Sequence, residues 1–332
     1  MLKLKVLTSV FSLFALGLFV SCGSNGDSPP KDTGPKNDGG SGTCKTTSIV
    51  CSGDCQEYVM DAIMMPPPGN ADACGFDLDN DGNVDNALGG ILGAISGVVP
   101  DLKLQGALDT AVNSGKTIIL FRMQPNGFAN ENSSKMQGWV GKSEECCTTK
   151  EEIETCKTEA RAAGACFGGD YEFEKDPTAS DEGVFCGKVS NNAGLWGPAQ
   201  FTFTMPIVEG SDPLVVKLQQ ARLRGTFSAD GKKMLDGAVG GAITKQDLDT
   251  TLIPTVAAML NKALNDPETS PDAKKQIISL FDEDENGEIT VAEVKGNDLI
   301  GLFLGGDVDI DGDGIKELSL GVCFTAVDAK IK

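Results

Sequence analysis

Apolar and polar positions alternate in several separate stretches of this chain, as they do in half-buried antiparallel strands. The pattern predicts strands at residues 117–123, 201–207, 214–227, 236–243 and 318–327. Residues 228–231 have the sequence Ser-Ala-Asp-Gly, which is typical of the turn of a hairpin. We therefore predict an α+β protein built on an antiparallel β-sandwich or barrel.

Helical spacing of apolar residues interrupts this β pattern near the C-terminus. One predicted helix runs from a cap at Thr244 to about Asn265 and carries its apolar face at Leu248, Leu252, Val256, Leu260 and Leu264. A second helix starts after Ser270 and Pro271, and a third follows residue 290. Because a strand is predicted after them, we expect residues 244–304 to form a helical insertion packed on the sheet.

The loop between the second and third of these helices places oxygen-bearing side chains at alternate positions. Gly287 stands at position six, where a sharp turn is needed, and Ile289 at position eight is apolar. The predicted ligands are Asp282, Asp284, Asn286, Glu288 through its backbone carbonyl, Thr290 and Glu293. Over residues 270–304 the pattern resembles the EF-hand family, and the resemblance implies that the loop binds calcium.

Two shorter acidic loops repeat part of this spacing. The first offers Asp77, Asp79, Asp81 and Asp85 around Gly82, with Leu88 where an EF-hand would carry its closing Glu. The second can be read from residue 307 or from residue 309, and the latter register offers Asp309, Asp311, Asp313 and Glu317. In that register the second loop resembles the loops of thrombospondin type 3 and dockerin-like repeats, and we expect both loops to bind calcium. Ordinary Asp-, Asn- and Gly-rich turns are the alternative.

The N-terminus predicts export. Residues 1–21 combine a short basic region with an apolar run at residues 6–20, as signal peptides do. The run ends in Phe-Val-Ser-Cys-Gly, which resembles the bacterial lipobox and implies that Cys22 carries a lipid anchor. The expected location is the bacterial cell envelope, at the outer membrane or cell surface rather than the inner membrane. An ordinary signal peptide with a coincidental cysteine is the alternative. We expect residues 22–43 to form a disordered polar tether between the anchor and the folded domain.

Cysteine usage supports the same compartment. Of eleven cysteines, ten remain when Cys22 is assigned to lipid, so up to five disulfides are expected. We expect residues 44–88 to be a Cys-rich segment with an acidic loop, residues 89–243 a β-rich core with a second Cys cluster, and residues 305–332 an acidic loop with the terminal strand. A bridge from the second cluster to Cys323 is the natural pairing. Zinc is disfavoured, because the chain has neither His nor a Cys-x-x-Cys pair.

Charge narrows the classes of partner. The chain has a net charge of −20, and loss of Lys3 and Lys5 with the signal peptide would lower the 28 basic residues to 26 and give −22. Nucleic acid is therefore not an expected partner. The three acidic loops hold fifteen of the 48 acidic residues, a distribution that attracts divalent cations rather than merely aiding solubility.

Catalytic signatures are mostly missing. The absence of His excludes Ser-His-Asp, Cys-His and His-Glu zinc chemistry, so an enzyme is not expected, and a paired-carboxylate hydrolase is the remaining enzymatic alternative. Trp139 and Trp196 lie among glycines, which favours either buried core or a platform for a glycan or protein ligand. We predict a calcium-binding, membrane-anchored exported lipoprotein in which calcium is mainly structural, with a calcium-dependent adhesion module as the alternative.

Overall fold

The computed structural model describes residues 47–332 except 52–54, 68, 99–103, 125–129, 147–165, 170, 179–182, 206–213, 268, 298–300 and 302–304. The predicted signal peptide, Cys22 and the polar tether lie outside these residues. Of the helices in the described part of the chain, none is both long enough and apolar enough to cross a membrane.

Eight antiparallel strands form a closed barrel in the order β1-β2-β3-β5-β6-β7-β8-β9. Their bounds are β1 Gln56–Met64, β2 Ile118–Met123, β3 Asn130–Gly141, β5 Val184–Ser190, β6 Ala193–Met205, β7 Leu214–Phe227, β8 Lys233–Ile243 and β9 Leu318–Asp328. Two short strands, β4 (Glu172–Phe173) and β10 (Lys330–Ile331), pair in parallel beside it. The predicted antiparallel architecture is confirmed as a barrel, and the fold is mostly β.

The strands that the sequence predicted are those with the clearest alternation. Strand β7 has the predicted bounds, while β6 and β8 begin eight and three residues earlier than predicted. Strands β1, β3 and β5 were not predicted, because β3 begins with a polar run and β1 is buried on both faces. The barrel therefore extends beyond residues 89–243, since β1 and β9 are both part of it.

Aromatic rings fill the inside of the barrel. The ring of Phe121 on β2 lies 5.6 Å from that of Phe324 on β9 and 6.1 Å from that of Phe201 on β6. Tyr58 on β1 and Phe227 on β7 have ring centroids 5.9 Å apart. None of these pairs joins neighbouring strands, so the rings meet across the lumen. The interior is thus a packed core rather than an open channel.

Two groups of helices interrupt the strand order. Helices α1 (Ala87–Val98) and α2 (Leu104–Asn113) lie between β1 and β2. Between β8 and β9, a π-helical turn at Leu248–Leu252 leads into α3 (Ile253–Asn265), followed by α4 (Pro271–Phe281) and α5 (Val291–Gly296). The predicted caps form as expected, because Thr244 accepts from the Asp247 N–H and Ser270 from the Ala273 N–H.

Three disulfides lie within the described residues: Cys51–Cys55, Cys74–Cys323 and Cys146–Cys166. The predicted bridge from the second Cys cluster to Cys323 is wrong. Cys323 lies on the outer face of β9, where the 3₁₀ helix Ala71–Cys74 packs, so its partner comes from the N-terminal cluster. The bond joins residues 249 apart in sequence and ties the segment after β1 to the last strand.

We predict that replacing both Cys74 and Cys323 with Ser lowers the free energy of unfolding by about 2–5 kcal/mol, because the cross-link removes loop-closure entropy from the unfolded chain. Urea unfolding of the oxidised protein measures it. The matched control is the Cys51→Ser/Cys55→Ser variant, which opens a bridge of separation 4 and should lose less. Equal losses would contradict this account.

Candidate metal centres

The three acidic loops adopt one backbone conformation. Counting from the first Asp of each, positions four and six both have positive φ. These are Asn80 (63°) and Gly82 (92°), Glu285 (56°) and Gly287 (86°), and Gly312 (78°) and Gly314 (84°). Positive φ favours glycine, which stands at position six in every loop, where φ is largest, whereas position four carries Asn80, Glu285 and Gly312. The conformation turns the chain tightly enough to bring alternate side chains to one side.

The same hydrogen bonds recur in each loop. The position-one carboxylate accepts from the glycine N–H at position six, at 3.1 Å in Asp77, 2.8 Å in Asp282 and 3.0 Å in Asp309. The position-three carboxylate accepts from the N–H at position five, at 3.1 Å in Asp79 and 3.2 Å in both Asp284 and Asp311. These bonds hold the carboxylates in place and offset part of their charge.

Carboxylate oxygens converge in all three loops. In each loop, one oxygen from each of three residues lies within 4.8 Å of the others. The three groups are Asp77, Asp79 and Asp85; Asp282, Asp284 and Glu293; and Asp309, Asp311 and Asp313. Oxygen ligands at such separations fit a hard divalent cation.

In the loop at 282–293, Glu293 reaches back to the start of the loop. Its carboxylate accepts from the N–H of Glu283 at 2.9 Å and from the N–H of Thr290 at 2.8 Å. Hydrogen bonds from Thr290, its backbone first, lower the pKa of Glu293. Asn286 donates to Asp284 at 2.9 Å, and the Thr290 hydroxyl donates to Glu293. Of the six predicted ligands, Asn286 and Thr290 thus contact the converging carboxylates, and Glu288 is exposed beside them.

The loop at 77–85 contains a buried carboxylate oxygen without a hydrogen-bond partner. Asp77 is 7% exposed, and its Oδ2 accepts from the Gly82 N–H, while its Oδ1 has no hydrogen-bond donor among the residues that the structure describes. A buried anionic oxygen is costly unless a cation or donor compensates it. The residues therefore fit a metal ion. Asp81, also a predicted ligand, accepts from the Asn83 side chain and is not one of the converging three.

Asp85 experiences the strongest electrostatic perturbation in this loop. Burial, followed by the charges of Asp79, Asp307 and Asp81, raises its pKa to about 7, although a hydrogen bond from the Leu78 N–H opposes the shift. Protonation of the Asp85 carboxyl is thus favoured below about pH 7, and a nearby cation would instead favour the ionised carboxylate.

The loop at 309–317 follows the register that starts at Asp309, because Gly314 donates to Asp309. Glu317 occupies the place of Asp85, and burial raises its pKa, but it lies outside the converging group. Asp307, just before the loop, instead accepts hydrogen bonds from the N–H and the hydroxyl of Ser319 on β9.

The loops at 77–85 and 309–317 pack together on the outside of the barrel. Phe76, Leu78 and Val308 form a small hydrophobic cluster with Ala238 and Ala242 of β8. Small residues on the outer face of β8 and β9 are needed, because the segment around the first loop approaches the backbone of these strands closely. A Cβ added to Gly240 would lie 2.9 Å from Phe76, and one added to Gly321 would lie 2.2 Å from the Cys74 carbonyl oxygen.

Sequence reasoning missed the residues that hold the first loop to the barrel. Arg224 donates to the carbonyls of Gly75 and Ala73 at 2.6 and 2.7 Å. The Asn86 carboxamide donates to the Gly321 carbonyl at 3.0 Å and accepts from its N–H at 2.7 Å. The run of glycine and alanine in β8 was the available signal, because a strand without large outward side chains leaves space for another segment.

The tryptophans do not present open faces. Trp139 is 2% exposed and lies beneath the cations of Lys175 and Arg122, and Trp196 is 1% exposed with its indole N–H donating to Ser134 at 3.0 Å. The alternative of a platform for a glycan ligand is therefore wrong for both residues, and the buried-core interpretation is confirmed.

No family model, no curated protein and no solved structure matches the chain.

We predict that, with metal chelated, the wild-type chain loses stability relative to an Asp85→Asn variant as pH rises from 4 to 7.5. A folded-state pKa above the unfolded value makes the folded state bind more protons in this window, so its stability falls as pH increases. Urea unfolding at several pH values measures the difference. A difference that does not change with pH would contradict the prediction.

Proposed function

We propose that this protein is an exported calcium-binding lipoprotein in which calcium at three loops holds secondary-structure junctions in place. The supporting observation is the threefold repetition of one loop conformation with converging carboxylates, together with the unpartnered buried oxygen of Asp77. We propose a binding role and no catalytic one.

Oxygen chemistry favours calcium over other divalent metals. The candidate groups offer only carboxylate, amide, hydroxyl and carbonyl oxygens. They contain none of the sulfur or imidazole ligands that zinc and copper prefer. Magnesium demands a small octahedral shell and keeps several waters, whereas calcium accepts six to eight oxygens in irregular arrangements. The loop at 282–293 would hold calcium with Asp282, Asp284, Asn286, Glu293, the Glu288 carbonyl and Thr290, in the manner of an EF-hand.

The position of each loop supports a structural role. The loop at 77–85 joins β1 to α1, the loop at 282–293 joins α4 to α5, and the loop at 309–317 leads into β9. Strand β9 pairs with both β8 and β1 and so closes the barrel. A cation that offsets the repulsion between carboxylates in the loop at 309–317 would therefore favour closure of the barrel by β9. Bound calcium stabilises the folded state by mass action, by about 2.7 kcal/mol per site at a hundredfold excess over the dissociation constant.

We predict that the chain binds three calcium ions with dissociation constants of roughly 10⁻⁵–10⁻³ M and melts at a higher temperature in calcium than in chelator. Calorimetric titration and thermal unfolding measure both. Asp77→Asn, Asp282→Asn and Asp309→Asn should each remove one site. Asp272→Asn, at an exposed carboxylate on α4, is the matched control and should remove none. Magnesium at the same concentration should reproduce little of the effect. Identical melting with and without calcium, and no binding heat, would refute the proposal.

The anchor is the second part of the proposal. It is supported by the lipobox resemblance at Cys22, and the three disulfides agree with an oxidising compartment outside the cytoplasm. In the cell envelope the polar stretch at residues 22–43 would act as the tether between membrane and barrel.

We predict that Cys22→Ser moves the protein from the membrane fraction to the soluble fraction of expressing bacteria, because acyl chains on one residue supply its membrane affinity. Fractionation followed by mass spectrometry of the N-terminal peptide measures it. Ser24→Ala, two residues away, is the control and should stay in the membrane. An unmodified Cys22 in the wild-type chain would contradict the anchor and leave the calcium proposal untouched.

A further inference from the structure

The backbone of Ile289 is held by one side chain from another helix. Its N–H donates to Oδ1 of Asn261 at 2.7 Å, and its carbonyl accepts from Nδ2 of the same residue at 2.6 Å. Asn261 lies on α3, 28 residues earlier in the chain. A carboxamide offers one acceptor and one donor group, so it satisfies both peptide groups of Ile289 as a neighbouring strand would.

We propose that Asn261 is the positioning residue of the loop at 282–293, and that it allows this loop to bind calcium without a second loop or a second copy of the chain. The inference rests on the proposed calcium function. Ile289 occupies position eight, directly between Glu288 and Thr290 at two ligand positions. Fixing the peptide groups of Ile289 therefore fixes the backbone on which both neighbours depend.

Other contacts of the loop do not substitute for this pair of bonds. The Ile289 side chain is 2% exposed and packs in the core with Ile277 and Phe281, which anchors the side chain but leaves the peptide groups in need of partners. The ion pair of Lys295 with Asp249, at 2.8 Å, joins partly exposed groups and contributes little.

Asn261 also occupies the groups through which the loop would pair with another chain. Backbone N–H and carbonyl groups left open at an edge are a template for pairing with a second molecule. Because the carboxamide occupies both groups of Ile289, the loop is complete within one chain. Calcium binding by the loop is thereby linked to α3, which the π-helical turn at Leu248–Leu252 connects to β8.

The test uses the full chain carrying Asp77→Asn and Asp309→Asn. In this parent variant, the heat of calcium binding measured by calorimetry comes from the loop at 282–293. In this parent, Asn261→Ala should raise the dissociation constant for calcium roughly tenfold, as the loss of two neutral hydrogen bonds implies. Asn265→Ala is the matched control, because this exposed asparagine lies one turn later on α3 and its side chain donates to the Asn261 backbone carbonyl at 2.9 Å rather than to the loop. It should leave the constant unchanged.

Hydrogen exchange of the Ile289 N–H gives a second measurement that does not depend on affinity. Asn261→Asp keeps the acceptor for this N–H and loses the donor to the carbonyl, so protection should survive in Asn261→Asp and disappear in Asn261→Ala. Sedimentation of the parent in calcium should show a monomer. Calcium-induced dimers of the parent would overturn the single-loop part of the proposal.

Two results separate this inference from the proposed function. Equal dissociation constants in Asn261→Ala and Asn265→Ala, with equal loss of melting temperature in calcium and in chelator, would make Asn261 merely structural and overturn the inference while calcium binding stands. Absence of calcium uptake by the parent, with Asn261 intact, would overturn the proposed function and the inference together.

Discussion

Repulsion between clustered carboxylates is the interaction on which this structure depends. In each of the three loops, one carboxylate oxygen from each of three residues lies within 4.8 Å of the other two. Hydrogen bonds from backbone N–H groups offset only part of the negative charge. The loops differ in how the remaining negative charge is compensated. Glu293 is partly exposed and receives several hydrogen bonds, which lower its pKa, whereas burial, followed by the charges of Asp79, Asp307 and Asp81, raises the pKa of Asp85 to about 7. Under the proposed function, the loop at 77–85 would therefore gain most from a cation, because the buried Asp77 Oδ1 has no hydrogen-bond partner among the described residues.

The barrel serves as a rigid frame for these loops rather than as a container. Its interior is filled by aromatic rings that meet across the lumen, so the proposed chemistry lies outside. The outer face of β8 and β9 carries glycine and alanine, which lets the segment around the first loop approach the sheet backbone closely. Rigid scaffolds with functional loops on their surface are common, and here the Cys74–Cys323 bond fixes the loop to the frame covalently.

Asparagine carboxamides complete the attachment at two places. Asn86 binds both backbone groups of Gly321, and Asn261 binds both backbone groups of Ile289. Each acts as a single-residue substitute for a strand neighbour, because a carboxamide and a peptide group present the same donor and acceptor atoms. One secures the loop at 77–85 to β9, and the other secures the loop at 282–293 to α3. A single asparagine can therefore fix a loop that has no strand to pair with.

The sequence alone determined the features that depend on neighbouring residues. Acids at alternate positions before glycine predicted the three loops, because both the turn and the ligand spacing are local, and alternation predicted the bounds of β7. Tertiary structure decided the rest. It brought the loops at 77–85 and 309–317 to one face, buried Trp139 and Trp196, paired Cys323 with Cys74, and placed Asn261 beside Ile289. These outcomes depend on contacts between residues far apart in the chain, and hydrophobic periodicity carries no information about which distant segments meet.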